Sequence, residues 1–134
     1  MLVVIAIIAM LAALVAPQVF RNVGDSRVSA ARTQLEMLST ALDGYRLDNG
    51  VYPSTEQGLD ALARRPSTGD VPVNWRGPYL RRAVPLDPWG HAYVYRLEFH
   101  GDQETLVLTS LGRDGRDGGS GEDADIAVSE VVSR

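Results

Sequence analysis

Met1-Leu-Val-Val-Ile-Ala-Ile-Ile-Ala-Met10-Leu-Ala-Ala-Leu-Val-Ala16 opens the chain without one charged or strongly hydrogen-bonding side chain. A helix of this composition is apolar on every side, and such helices sit in a large core or in lipid. The rest of the chain is polar, short and rich in turns, so it offers no core large enough. Sixteen residues fall slightly short of the roughly 20 that a membrane span needs. A cleaved secretory leader would show a basic n-region and small residues before its cleavage site. Here the basic region is missing, and Leu14 stands where the first small residue belongs. A buried core helix is the plainer alternative. The preferred expectation is a membrane helix whose beginning lies upstream of Met1.

Composition bounds the remainder. At 134 residues, one domain plus an appendage is expected. Hydrophobic residues make up 45%, but the first sixteen positions take a large share, so the soluble core must be small. A net charge of −4 speaks against a nucleic-acid partner. There is no cysteine. A small domain in an oxidising compartment then calls for another staple, such as a metal or oligomerisation.

Beyond Ala16, Pro17 should bend the helix by removing a backbone donor. Arg21 is the first charged side chain, where a membrane interface would lie, and Gly24 adds a second soft point. From Asp25 to Asp48, Val28, Ala31, Leu35, Leu38, Leu42 and Tyr45 recur at spacings of 3, 4, 3, 4 and 3. That is one apolar helical stripe, on which a soluble domain can rest. Asn49-Gly50 supplies the left-handed cap. Residues 2–48 therefore read as one long, kinked helix. The chain divides into an apolar membrane segment, 1–24, and a soluble domain, 25–134.

Val51-Tyr-Pro53 is an extended connector. Ser54 and Gln57 fit a capping box, Arg64 and Arg65 suit a helix end, and Pro66 stops it. A second short helix is expected over Thr55–Arg65. Ser67–Arg76 is a loop, and Val84-Pro-Leu-Asp-Pro-Trp-Gly90 is rigid turn material with Asp87 placed to bond the backbone beyond it. Tyr93, Tyr95, Leu97 and Phe99 alternate within a strand over His91–Phe99. A second strand covers Thr105–Leu111, with His100–Gln103 as the hairpin turn. The tail, Ala127–Arg134, either adds a strand or frays. The expected fold is α+β, a long helix packed on a small antiparallel sheet.

Gly112-Arg-Asp-Gly-Arg-Asp-Gly-Gly-Ser-Gly-Glu-Asp-Ala-Asp-Ile126 holds five glycines and five acidic residues. Asp114, Asp117, Asp123 and Asp125 are hard oxygen donors, and glycines let backbone carbonyls turn inward. A loop offering about six to eight oxygens suits Ca²⁺. A solvated, flexible acidic turn explains the same composition. As an EF-hand, Arg116 and Gly118 fail positions that need oxygen ligands. As a nonapeptide β-roll, Asp125 sits where an apolar residue belongs, and there is a single copy. A bespoke site remains. No enzyme constellation appears: His91 and His100 are not placed as a metal pair, and no serine lies in a nucleophile elbow. Trp75 and Trp89 read as turn-packing aromatics, and Arg64-Arg65 and Arg81-Arg82 as solvated faces.

Leu2–Pro17 resembles the N-terminal helix of type IV pilin-like proteins. Tyr45-Arg-Leu-Asp-Asn-Gly-Val-Tyr-Pro-Ser-Thr-Glu-Gln-Gly-Leu59, Pro78-Tyr-Leu80 and Asp87-Pro-Trp-Gly90 resemble the major pseudopilins of type II secretion systems. Ser110–Ile126 resembles that family's calcium loop. The resemblance implies a type IV pilin-like fold with a C-terminal calcium-binding loop. The implied ligands are the side chains of Asp114, Asp123 and Asp125 and the carbonyls of Leu111 and Arg116. Asp117 stands outside that set.

The resemblance also implies a subunit that polymerises with its own copies into a periplasmic pseudopilus on the bacterial inner membrane, driving folded proteins across the outer membrane. Implied partners are minor pseudopilins, inner-membrane secretion assembly proteins and, for the precursor, the prepilin peptidase. The family's basic leader, cleavage site, N-methylated phenylalanine and the glutamate that follows it would precede Met1. Two alternatives stand beside this reading: a membrane-anchored calcium-binding adhesion module or pilus-like subunit outside type II secretion, and a secreted hydrolase, for which no catalytic set appears.

Overall fold

The computed structural model describes residues 1–133, with the side chains of residues 15–22 excepted. One helix, α1, runs Leu2–Asn49. The bend expected at Pro17 and the interfacial charge at Arg21 fall on residues 15–22, outside the described residues. The apolar stripe packs as its spacing requires. Ala31, Leu35, Leu38, Leu42 and Tyr45 are buried, and Val28 is half-buried. Residues 1–14 are exposed without exception. Among the described residues, no helix is long and apolar enough to cross a membrane. The helix stops where expected: Gly50 adopts φ 80° and donates its N–H to the carbonyl of Arg46 at 2.7 Å.

Three strands follow: β1 Val94–His100, β2 Gln103–Ser110 and β3 Ile126–Ser133. They form one antiparallel sheet in the order β1-β2-β3. Gly101-Asp102 joins the first two, with His100 opposite Gln103 and Gly101 at φ 63°. A tight hairpin with glycine first needs that positive angle. The first strand starts later than expected because His91 belongs to the preceding turn. Its N–H donates to Asp87 Oδ1 at 2.8 Å and its carbonyl accepts from the Asp87 N–H at 2.8 Å. The tail takes the strand option.

The central strand buries every second residue: Glu104, Leu106, Leu108 and Ser110. Leu106 lies between Leu97 on β1 and Glu130 on β3, and Leu108 between Tyr95 and Val128. This face meets the α1 stripe, so Leu35, Leu38, Leu42, Leu106 and Leu108 close one core. The last strand is also tied to α1 by polar groups. Ser39 donates to Glu130 Oε1 at 3.0 Å. The Tyr52 hydroxyl lies 2.9 Å from Asp43 Oδ1 and 3.3 Å from Glu130 Oε2.

The second helix expected over Thr55–Arg65 does not form; a 3₁₀ turn covers only Leu59–Leu62. The capping box itself is made, with Gln57 N–H donating to Ser54 Oγ at 3.1 Å and Ser54 N–H donating to Gln57 Oε1 at 3.0 Å. Gly58 then takes φ 63°, ψ −164°, which no helix can continue. The residues that looked like helix ends serve the next loop instead. Gln57 donates to the carbonyls of Thr68 and Asp70 at 2.8 and 3.1 Å, and Arg65 donates to the carbonyl of Pro72. Trp75 packs as a turn aromatic, edge-on to Tyr79, with its ring N–H donating to Ala61 at 2.8 Å.

Candidate functional site

The Gly/Asp loop leaves the buried end of β2 and returns to start β3. Its base is fixed by Asp87, which is buried. One oxygen of Asp87 accepts from the N–H groups of Trp89 and His91 at 3.1 and 2.8 Å. The other accepts from the Ser110 hydroxyl at 2.8 Å, and that hydroxyl accepts from Gly112 N–H at 3.3 Å. A rigid turn thus holds the point at which the loop begins.

Two limbs of the loop then touch. Arg113 N–H donates to the carbonyl of Glu122 at 2.8 Å. A Cβ on Gly112 would stand 2.7 Å from that carbonyl oxygen and 2.8 Å from those of Asp123 and Ala124. A Cβ on Gly119 would stand 2.6 Å from the Asp123 oxygen. Both glycines have positive φ, 74° and 94°. Only glycine satisfies the approach and the angle together.

The expected ligands are distributed as follows. Asp114 Oδ1 accepts from Arg116 N–H at 3.1 Å within its own limb. Asp125 Oδ2 reaches across to Gly118 N–H at 3.0 Å. Asp123 is engaged by Arg113: Nε to Oδ1 at 2.9 Å and Nη2 to Oδ2 at 3.2 Å. The remaining guanidinium nitrogen, Nη1, donates to Glu122 Oε2 at 3.1 Å. Arg113 holds the Asp123 carboxyl below the usual carboxylate range, chiefly through the hydrogen bond. Leu111 is half-buried at the loop's start, and Arg116 and Asp117 are exposed. Among the described residues, no three acidic or histidine side chains group closely enough to hold a metal ion.

The donor types, carboxylate and carbonyl oxygens, are those a hard cation takes. The carboxylates of Asp114, Asp123 and Asp125 stand apart, each accepting from a donor of the chain. Three contributors were missed by sequence reasoning. Arg113 and Glu122 form the closing pair. The His91 ring lies under Gly115, with Nε2 3.3 Å from the Arg113 carbonyl oxygen. A cation flanking an acid-rich loop was the available signal for Arg113; nothing local marks His91. Gly24 also has a role other than softness. It is buried, and a Cβ there would stand 2.9 Å from Glu122 Cδ, so the loop bears on α1 at that point.

A long helix with an exposed apolar start, its later half packed on a small antiparallel sheet that ends in a loop and a returning strand, defines the type IV pilin-like class. The family model for Type II secretion system (T2SS), protein G matches residues 18–129, and the chain belongs to that family. It is 43% identical over 125 residues to the type II secretion system core protein G of Pseudomonas aeruginosa, covering 93% of this chain and 87% of that one. It is 44% identical over 126 residues to the corresponding protein of Vibrio cholerae, covering 93% and 84%. Among solved structures, the major pseudopilin from the type 2 secretion system of enterohaemorrhagic Escherichia coli superposes with a TM-score of 0.65 at 38% identity, over 79% of this chain and 89% of that one.

Proposed function

We propose that this chain is the structural, non-enzymatic subunit that polymerises with its own copies into the periplasmic pseudopilus of a type II secretion system. One observation carries this reading: α1 uses its later half to build the core and leaves residues 1–14 wholly exposed. An apolar surface of that extent is stable only against lipid or other apolar surface. In the inner membrane it lies in lipid, with the folded domain in the periplasm. In the filament it packs against neighbouring copies, with minor pseudopilins and assembly proteins at the ends. Family membership and the matched secretion proteins support both steps.

Ile8→Asp tests this. Ile8 is 60% exposed and makes no part of the core. The variant should lose filaments in cells while its folded domain melts as the wild type does. Normal filaments would overturn the packing role of this segment.

Calcium is the proposed staple of the loop, held by Asp114, Asp123 and Asp125 with the carbonyls of Leu111 and Arg116. When bound it would supply a divalent charge joining the two limbs. The oxygen donors, the glycine-enforced contact of the limbs and the absence of cysteine support this. An ion bound only by the folded state adds about 2.7 kcal/mol at a hundred times its dissociation constant. Equal melting temperatures in calcium and in chelator would sink the calcium reading.

A further inference from the structure

Two features of Arg113 stand together. Its backbone N–H and its side chain both reach the opposite limb, to the Glu122 carbonyl at 2.8 Å and to the Asp123 carboxylate at 2.9 and 3.2 Å. Its third nitrogen is on Glu122 Oε2 at 3.1 Å. The planar guanidinium fork suits this side-on grip on a carboxylate, which a lysine ammonium could not reproduce. Both Asp123 oxygens are therefore spoken for by a cation that belongs to the chain.

We infer that Arg113 is a built-in cation that closes the loop by itself and competes with the divalent ion for Asp123. This rests on the calcium reading above. Binding is then an exchange. Arg113 releases Asp123 to the incoming ion and keeps Glu122, which is not among the proposed ligands. Glu122 is in turn seated against Gly24 of α1, so the guanidinium retains an anchored partner after it lets go. The Arg113 side chain is 55% exposed and that of Asp123 33%. Exposed pairs are weak and screened by salt. The competition therefore sets affinity within a severalfold range and fades as ionic strength rises.

The test uses the full chain in detergent micelles with calcium alone as the probe, and reads dissociation constants by calorimetry and melting temperatures in chelator. Arg113→Ala should bind calcium about three- to fivefold more tightly than the wild type, from the worth of an exposed pair. It should also melt lower in chelator, and the affinity gap should narrow in high salt. Glu122→Gln, which removes no proposed ligand but takes away the partner the guanidinium keeps after release, should shift affinity in the opposite direction, toward weaker binding, by less. An Arg113→Ala protein that binds calcium no more tightly than the wild type overturns the competition. Absence of binding in every variant, the wild type included, overturns the calcium reading and the competition with it. Should Arg113→Ala fail to fold, Arg113→Lys keeps the charge without the fork, and an affinity equal to the wild type's then counts against the proposal.

Discussion

Replacing Asp87 with alanine should be among the most damaging single changes in the folded domain. Asp87 is 4% exposed and accepts three hydrogen bonds, from Trp89 N–H, His91 N–H and the Ser110 hydroxyl. Ser110 is 0% exposed, so its hydroxyl has no water to turn to. Stranding a buried donor costs about 1–3 kcal/mol. Trp89 and His91 are half-buried, so water can reach their amides after a small relaxation, at about 1 kcal/mol or less each. The sum is about 3 kcal/mol. For a folded part of about 100 residues, that is a fall in melting temperature of about 12 °C or more.

Asp87→Asn should lose less, because its carbonyl oxygen still accepts from both amides. Ser110→Ala should cost about 1–2 kcal/mol. The two sites are in direct contact, so Asp87→Ala and Ser110→Ala should be non-additive, the double variant costing less than the sum. The assay is thermal unfolding of the full chain in detergent, followed by fluorescence of Trp75 and Trp89. A loss below about 1 kcal/mol for Asp87→Ala, or strict additivity in the double variant, would refute the network as the anchor of the loop.

Leu106→Ala, in the middle of the central strand with no exposure, should cost about 2–5 kcal/mol in the same melts; a loss under about 1 kcal/mol would contradict its place in the core. Gly119→Ala should destabilise the loop more than Gly118→Ala. Both have positive φ, but only at 119 would the new Cβ meet a carbonyl oxygen, at 2.6 Å; equal melting temperatures would show that the limbs are not in contact. Stability should fall in alkali. Burial, with the charge of Asp87 adding to it, pushes Tyr93 up to about 12, and burial also raises Tyr52 and Tyr95. An unfolded tyrosine loses its proton near pH 10, as a rough reference. The folded state holds the proton more tightly, so its stability is complete below about pH 10 and declines as the pH rises through 12. Melts across this range, with ultraviolet detection of tyrosinate, should show the decline, and Tyr93→Phe should make it shallower, with Tyr52 and Tyr95 carrying the remainder.

Much of the architecture was legible in local patterns because local physics determines it. The 3-4-3-4 stripe from Val28 to Tyr45 required a helix with one buried side, and Asn49-Gly50 required its end. Alternation in β1 and β2 required a two-sided sheet. The Thr55–Arg65 helix failed because the same residues served two masters. A capping box predicts a helix only if the chain continues helically, and Gly58 does not. The partners that recruited Gln57 and Arg65, the carbonyls at 68, 70 and 72, lie in a loop whose path no local pattern specifies. In the Gly/Asp loop the oxygen donors were readable from residue type. Their separation was not, because it depends on Arg113 and on the backbone N–H groups of Arg116 and Gly118, which a count of ligands passes over.

The loop and the last strand also act on α1 as one piece. Glu122 rests at Gly24 and Glu130 is held by Ser39. Those two helix positions are separated by about 22 Å at 1.5 Å per residue. Eight steps of chain from 122 to 130 reach at most about 26–29 Å when fully extended. The 3₁₀ turn at Gly121–Asp123 shortens that reach, so little slack remains between the two anchors. A change at Glu122 or Asp123 is therefore not absorbed within the loop. It is felt at the start of β3 on one side. On the other it is felt at Gly24 of α1, the boundary between the apolar segment proposed for assembly and the folded domain.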